Sequence, residues 1–231
     1  MTIKITYNFS YHRLFAVAVI FLQLKNVSGQ QKDFQGIVGL GLEKKISPSF
    51  SFTLYNQELF NQNLAELGSG FIDAGITYKL NRNLSFGASY RFVQQRDLNN
   101  IYQARQMIYG DVTCSKGFKK FSASLRARIQ NSYYPLVINE TKQTSIAYNR
   151  DRLTIRYRYN YYFAPFVYGE LWYPVNHPTH DKVDRVRGAL GFYYTFNEHF
   201  KTELYYSITQ ELNHSNKKTN YAIGIASYFR I

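Results

Sequence analysis

The sequence holds a single cysteine, Cys114, in 231 residues. An intramolecular disulfide is therefore excluded, and stability must come from hydrogen bonding and packing. No run of 18 or more apolar residues occurs, which excludes a membrane-spanning helix. Acid is scarce as well: 15 Asp and Glu stand against 28 Lys and Arg, a formal charge of +13. Mean hydropathy is negative, at -0.37. What is abundant is aromatic, with 22 Tyr and 18 Phe beside one Trp. Many aromatic and β-branched residues among polar ones favour strands over helices. The one route left across a membrane is a barrel, which satisfies its backbone by closing on itself.

The first residues read as an export signal rather than as part of the fold. Lys4 and Arg13 lead into an apolar core, Leu14 to Leu22, and Val27-Ser28-Gly29 offers small residues before Gln30. The alternative for this stretch is a short buried helix. The organisation expected is a signal peptide over 1–29 and one domain over 30–231. No cysteine stands at the cleavage point, which argues against lipid attachment. Losing Lys4, Arg13 and Lys25 takes the formal charge from +13 to about +10. A basic chain can bind nucleic acid, but export argues against that partner.

From Phe34 onward, apolar and polar residues alternate in segments of about ten, the pattern of a membrane barrel. Phe34, Val38, Leu40 and Leu42 oppose Gln35, Glu43 and Lys45. Phe50, Phe52 and Leu54 alternate with Ser51 and Thr53. Ile72, Ala74, Ile76, Tyr78 and Leu80 oppose Phe71, Asp73, Thr77 and Lys79, and Leu84, Phe86, Ala88, Tyr90 and Phe92 oppose Ser85, Ser89 and Arg91. Ile108, Val112 and Cys114 share a face, as do Phe121, Ala123, Leu125, Ala127 and Ile129. The clearest alternation runs from Leu153 to Phe163, against Arg152, Thr154, Arg156, Arg158 and Asn160. Further strands carry Val167 to Tyr173, Val186 to Phe196, Phe200 to Ile208, and Tyr221 to Ile231. Short connections are expected near Pro48, Asn81, Gly117, Pro165 and Asn197, and longer ones over 60–69, 95–104, 131–151, 174–184 and 211–220. The expected fold is all-β: a closed antiparallel up-and-down barrel of about 10–12 strands. Eleven segments are visible, an odd number. That predicts either a further strand within 131–151 or a terminal segment outside the closed ladder.

Alternation alone fits a soluble barrel too, with its apolar face inside. Volume decides between them. About five large residues per strand over ten or so strands would overfill an interior of that size. Turned outward they meet lipid at no steric cost, and rings near strand ends suit the two interfaces. The polar face then lines the bore. It carries Asp73, Arg91, Asp111, Arg126, Arg128, Arg156, Arg158, Glu170, Arg185, Arg187 and Glu203.

Five stretches match a known pattern: Gly39-Leu-Gly-Leu-Glu-Lys-Lys45, Asp73-Ala-Gly-Ile-Thr-Tyr-Lys-Leu-Asn81, Gly87-Ala-Ser-Tyr-Arg-Phe92, Leu153-Thr-Ile-Arg-Tyr-Arg-Tyr159 and Tyr168-Gly-Glu-Leu-Trp-Tyr173. In their order and spacing they resemble a family of bacterial outer-membrane barrels catalogued as a domain of unknown function, DUF2490. The resemblance spans nearly all of 33–231. It implies a Gram-negative outer-membrane location, with outer-membrane lipid and the barrel-assembly machinery as partners, and brings no activity or catalytic residue. Barrel proteins often end on an aromatic residue, whereas this chain ends Tyr228-Phe-Arg-Ile231.

Residues i and i+2 share a face, so Arg126 and Arg128, Arg156 and Arg158, and Arg185 and Arg187 form three bore-facing pairs. Two readings follow. Basic rings select anions in pores. The same arginines can instead fill the interior, held in forked bonds by Asp73, Asp111, Glu170 and Glu203. His177 and His180, with Asp181, are weak candidates for a metal, because Pro178 prevents a regular ligating face. Gly39-Leu-Gly41 lacks the third glycine and the helix of a nucleotide loop, so no cofactor is expected. A lipid hydrolase or acyltransferase would need a Ser–His arrangement. Histidines fall in outer loops (His177, His180, His214) or in a short turn (His199), and no G-x-S-x-G occurs. The leading expectation is a non-enzymatic barrel with a structural or surface-interaction role. A narrow anion-favouring channel or transporter is the first alternative, and a lipid-modifying enzyme the second. The small-molecule ligand, if any, is not specified by the sequence.

Overall fold

The computed structural model describes residues 31–97, 99–133, 145–175, 182–212 and 218–231. They form eleven strands: β1 (Gln31–Lys45), β2 (Phe50–Asn61), β3 (Glu66–Lys79), β4 (Leu84–Arg96), β5 (Tyr102–Phe118), β6 (Phe121–Tyr133), β7 (Ile146–Tyr157), β8 (Phe163–Pro174), β9 (Arg185–Thr195), β10 (Phe200–Glu211) and β11 (Lys218–Arg230). Each pairs with its neighbours in chain order, and β11 returns to β1 to close a barrel.

Neither terminal strand lies outside the ladder, β6 pairs directly with β7 so that no further strand enters the ring between them, and the ring is not wholly antiparallel. Strands joined by successive hairpins alternate in direction, so an odd ring must place its first and last strands the same way round. The register shows this: Gln31 pairs with Lys218 and Glu43 with Arg230, in parallel. The other strand pairs are antiparallel.

The pleat sends alternate side chains to opposite faces of the wall. On β6, Phe121, Leu125 and Ile129 are exposed at 53%, 53% and 65%, whereas Arg128 and Gln130 are buried. The other strands repeat this sorting. Val38, Leu40, Ile72, Ile108, Leu153, Leu190 and Ile225 all stand on the outer surface. Gathered on the outer face at one rim are Phe50 with Tyr78, Phe121 with Tyr157, and Phe200 with Phe229, all as close ring pairs.

Short connections share that rim, at 46–49, 80–83, 119–120, 158–162 and 196–199. Several are fixed by one side chain folding back on the backbone, the usual use of Asn and Ser in turns. Asn81 Oδ1 accepts from the amides of Asn83 and Leu84, at 2.8 and 2.9 Å. Asn160 Oδ1 accepts from Tyr162 and Phe163, at 2.9 and 2.7 Å. Asn197 Oδ1 accepts from His199 at 2.9 Å. Lys119 turns the β5–β6 corner with a φ of 53°.

The Asn160 turn corrects the sequence reading. The alternation from Leu153 to Phe163 is not one strand. It is the end of β7, a turn holding Tyr159 and Tyr161, and the start of β8, with Pro165 inside β8 rather than in a turn. At the other rim, strands run further than expected. β2 and β3 are separated by residues 62–65 alone, where Gln62, Asn63 and Leu64 all have positive φ. β7 begins at Ile146, well inside the segment 131–151 read as a loop.

Candidate functional site

Cross-strand register converts the arginines of β6 to β9 into two continuous rows. In one, Arg126 pairs with Arg152, Arg152 with Glu170, and Glu170 with Arg187. In the next, Asp111 pairs with Arg128, Arg128 with Arg150, Arg150 with Trp172, and Trp172 with Arg185. Like charges directly opposite one another are destabilising. Both Arg–Arg steps therefore need acids within reach, and each row supplies one.

Glu170 is the centre of the arrangement and is 1% exposed. Its Oε1 accepts from Arg126 Nη2 at 2.7 Å and from Arg150 Nη2 at 3.1 Å, while its Oε2 accepts from Arg152 Nη2 at 3.0 Å. Asp111 takes a forked pair of bonds from Arg128, Nε to Oδ1 at 2.6 Å and Nη2 to Oδ2 at 2.7 Å. Asp73 accepts from Arg91 Nε at 2.8 Å and from the Tyr109 hydroxyl. Arg185 reaches Glu211 at 3.4 Å, and Arg187 Nε donates to Thr209 Oγ1 at 2.9 Å. Forked, charge-assisted bonds of this kind fix the guanidinium planes as well as their positions.

Rings hold the other side of these planes. Trp172 lies between Arg150 and Arg187, with centroid distances of 4.7 and 5.0 Å. Arg152 sits 4.3 Å over Tyr168, Arg128 3.7 Å over Tyr109, and Arg91 3.8 Å over Phe71. Such stacking orients a guanidinium without consuming all its donors. The Nε atoms of Arg126, Arg150 and Arg152 have no protein acceptor.

The remaining candidates are placed as follows. Arg156 stands near the short-turn rim, 4.7 Å over the Tyr193 ring. Glu203 accepts from the Tyr228 hydroxyl at 3.1 Å rather than from an arginine. Arg158 lies beyond the end of β7, exposed in the 158–162 turn, its amide bonded to Lys120 O at 2.7 Å. The expected Arg156–Arg158 pair is thus not a strand pair, because the strand stops between them. His177 and His180 lie outside the described residues, as does His214. His199 is the one histidine described, and its Nδ1 faces Arg230 O at 2.9 Å. Among the described residues, no group of three or more His, Cys, Asp or Glu is placed to hold a metal ion.

Sequence reasoning overlooked Arg105, Arg150 and Glu211, and left Arg152 and Lys201, both on the polar face, out of the candidate set. Arg150 was hidden by the late start assigned to β7, since 131–151 was read as a loop. The signal was present, since 150, 152, 154 and 156 keep one parity.

Inside the bore these side chains leave a cavity of about 700 Å³. Eight arginines line it (Arg91, Arg105, Arg126, Arg128, Arg150, Arg152, Arg185 and Arg187), together with Lys201. The carboxylates among its lining residues are Glu43, Asp184 and Glu203. Eight strands enclose an interior that side chains just fill, and sixteen leave a water channel. Eleven fall between, which accounts for a partly filled bore.

Several solved structures are similar to this chain at low identity. The NanC porin is 11% identical over 76% of this chain and 86% of its own, with a TM-score of 0.48. The translocator domain of the autotransporter NalP from Neisseria meningitidis is 8% identical over 77% and 74%, with a TM-score of 0.46. The Ralstonia pickettii toluene transporter TbuX is 10% identical over 79% and 62%, with a TM-score of 0.35. Identities this low say nothing about what a barrel carries. No curated protein matches the chain. The family described as "Protein of unknown function (DUF2490)" matches residues 34–220, and the chain belongs to that family.

Proposed function

We propose that the protein is an integral outer-membrane barrel whose bore admits small anions, acting as a narrow channel or transporter. The carrying observation is the imbalance around the cavity: eight arginines and a lysine against three carboxylates among its lining residues. Counting the acids behind that surface, Asp73, Asp111 and Glu170 each already hold one or more arginines, so the lining keeps a net positive field. In a low-dielectric wall such a field concentrates anions and repels cations. The membrane setting is supported by the outer face, where Leu, Ile, Val, Phe and Tyr are exposed row upon row. In water that surface would be an aggregation site; in lipid it is the expected boundary.

A structural role remains the second reading, favoured by the bonds that tie Glu170 and Asp111 into the wall. The lipid-enzyme reading has less support. The one described histidine sits at the rim against a backbone carbonyl, away from the cavity lining. Two measurements decide. Membrane fractionation with heat-dependent gel mobility tests the setting, and a soluble, heat-insensitive protein ends it. Planar-bilayer recording across a potassium chloride gradient tests the pore. A reversal potential on the chloride side is expected, moving toward zero in Arg126→Gln with Arg152→Gln. Absence of current sinks conduction.

A further inference from the structure

The bore has a second wall, built on different chemistry. At the β11–β1–β2 seam, Gly41 pairs with Tyr228 on one side and Tyr55 on the other. The two rings stack over that glycine at 5.8 Å between centroids and 11° between planes. A Cβ on Gly41 would come within 2.6 Å of Tyr228 Cδ1. On Gly39 it would collide with the Tyr55 hydroxyl, and on Gly224 with the Tyr205 ring. The glycines therefore exist so that three tyrosines lie flat against the wall instead of projecting across the bore. Tyr55, Tyr205 and Tyr228 all line the same cavity as Arg126, Arg152 and Arg187.

We propose that this cavity binds cyclic organic acids. Their anionic group (carboxylate or phosphate) meets the guanidinium wall, while the ring lies on the tyrosine wall. The inference rests on the anion reading above and adds a requirement to it. A bare basic bore treats acetate and a ring-bearing acid alike, whereas a flat aromatic surface opposite the charges rewards apolar area presented with the charge. The cations are in place: Arg126 and Arg152 each give Nη2 to Glu170, yet their side chains stay 20% and 26% exposed and line the cavity. Arg187 has its Nε on Thr209 and its plane on Trp172.

Trp172 provides the readout, because it is the single tryptophan of the chain and lines the cavity. The full barrel, folded in detergent, is titrated with cyclohexanecarboxylate, acetate and cyclohexanemethanol while Trp172 emission is followed. Cyclohexanecarboxylate is expected to bind about tenfold tighter than either the acid without the ring or the ring without the acid. Tyr205→Leu should shrink its advantage over acetate to less than about threefold, and Arg126→Gln should weaken both acids. Equal affinity for acetate and cyclohexanecarboxylate overturns the ring site while leaving anion conduction standing. Equal affinity for cyclohexanemethanol and the acid overturns the charge requirement. Ring-acid binding without bilayer current removes conduction and leaves the ligand class intact.

Discussion

The wall from β6 to β9 and the seam where β11 meets β1 solve the same problem with opposite materials. Both must present an inner face to an incompletely filled bore. The first uses long cations, crowds them in register, and relies on Glu170, Asp111 and several rings to hold them apart. The second is built mainly on small residues, Gly39, Gly41, Ala222, Gly224 and Ala226, and lets Tyr55, Tyr205 and Tyr228 lie over the bare backbone. The lesson is that charge in this bore is bound to a framework. Each arginine whose plane is fixed has an acid on one side or a ring on another.

The largest break in that comparison should come from Glu170→Ala. It leaves Arg126, Arg150 and Arg152 without their shared carboxylate, and stripping one partner from a buried cluster costs about 3–5 kcal/mol. Urea unfolding in lipid vesicles measures it; a loss under about 1 kcal/mol would mean that water holds the cluster apart unaided. Next is Leu125→Arg, one residue from Arg126 but on the outer face and in the middle of the β6 row. An arginine there faces lipid and should cost about 2–4 kcal/mol, while Leu125→Phe is tolerated. If both substitutions are neutral, inside and outside have been exchanged. On the seam, Gly41→Val should push Tyr228 and Tyr55 off the wall, costing about 1–3 kcal/mol by overpacking and lowering bilayer current. The smallest effect belongs to Arg158→Ala, within about 0.5 kcal/mol and with unaltered ion selectivity, since that residue lies in the rim turn. A clear shift in reversal potential there would extend the basic wall beyond β7.

Inside and outside were legible in the sequence because side-chain direction in a strand has a period of two, and Phe121 to Ile129 or Leu190 to Phe196 display it without interruption. The eleven segments were legible for the same reason. Their closure was not: nothing local to β1 or β11 says that they will lie side by side and parallel. The turn at Asn160 was missed because aromatic and polar residues continue to alternate through it, so period alone could not detect that the chain reverses. The site was legible as a set of arginines but not as an arrangement. That Arg126 faces Arg152, and that both share Glu170, depends on register between strands distant in sequence. The tyrosine wall was invisible for a related reason, since a glycine on one strand makes room for a ring on another.

The parallel seam has a mechanical consequence. Arg230 and Glu43, which bridge it at 3.1 Å, are 187 residues apart in the chain. Every other edge of the cylinder is stitched to its neighbour through a connection in sequence, whereas this one joins strands from opposite ends of the described chain, the contact with the greatest loop-closure cost. Parallel ladders are also slightly weaker per residue than antiparallel ones. Pulled apart, the cylinder should split there first and leave as a flat ribbon of hairpins, with the tyrosines at the torn edge.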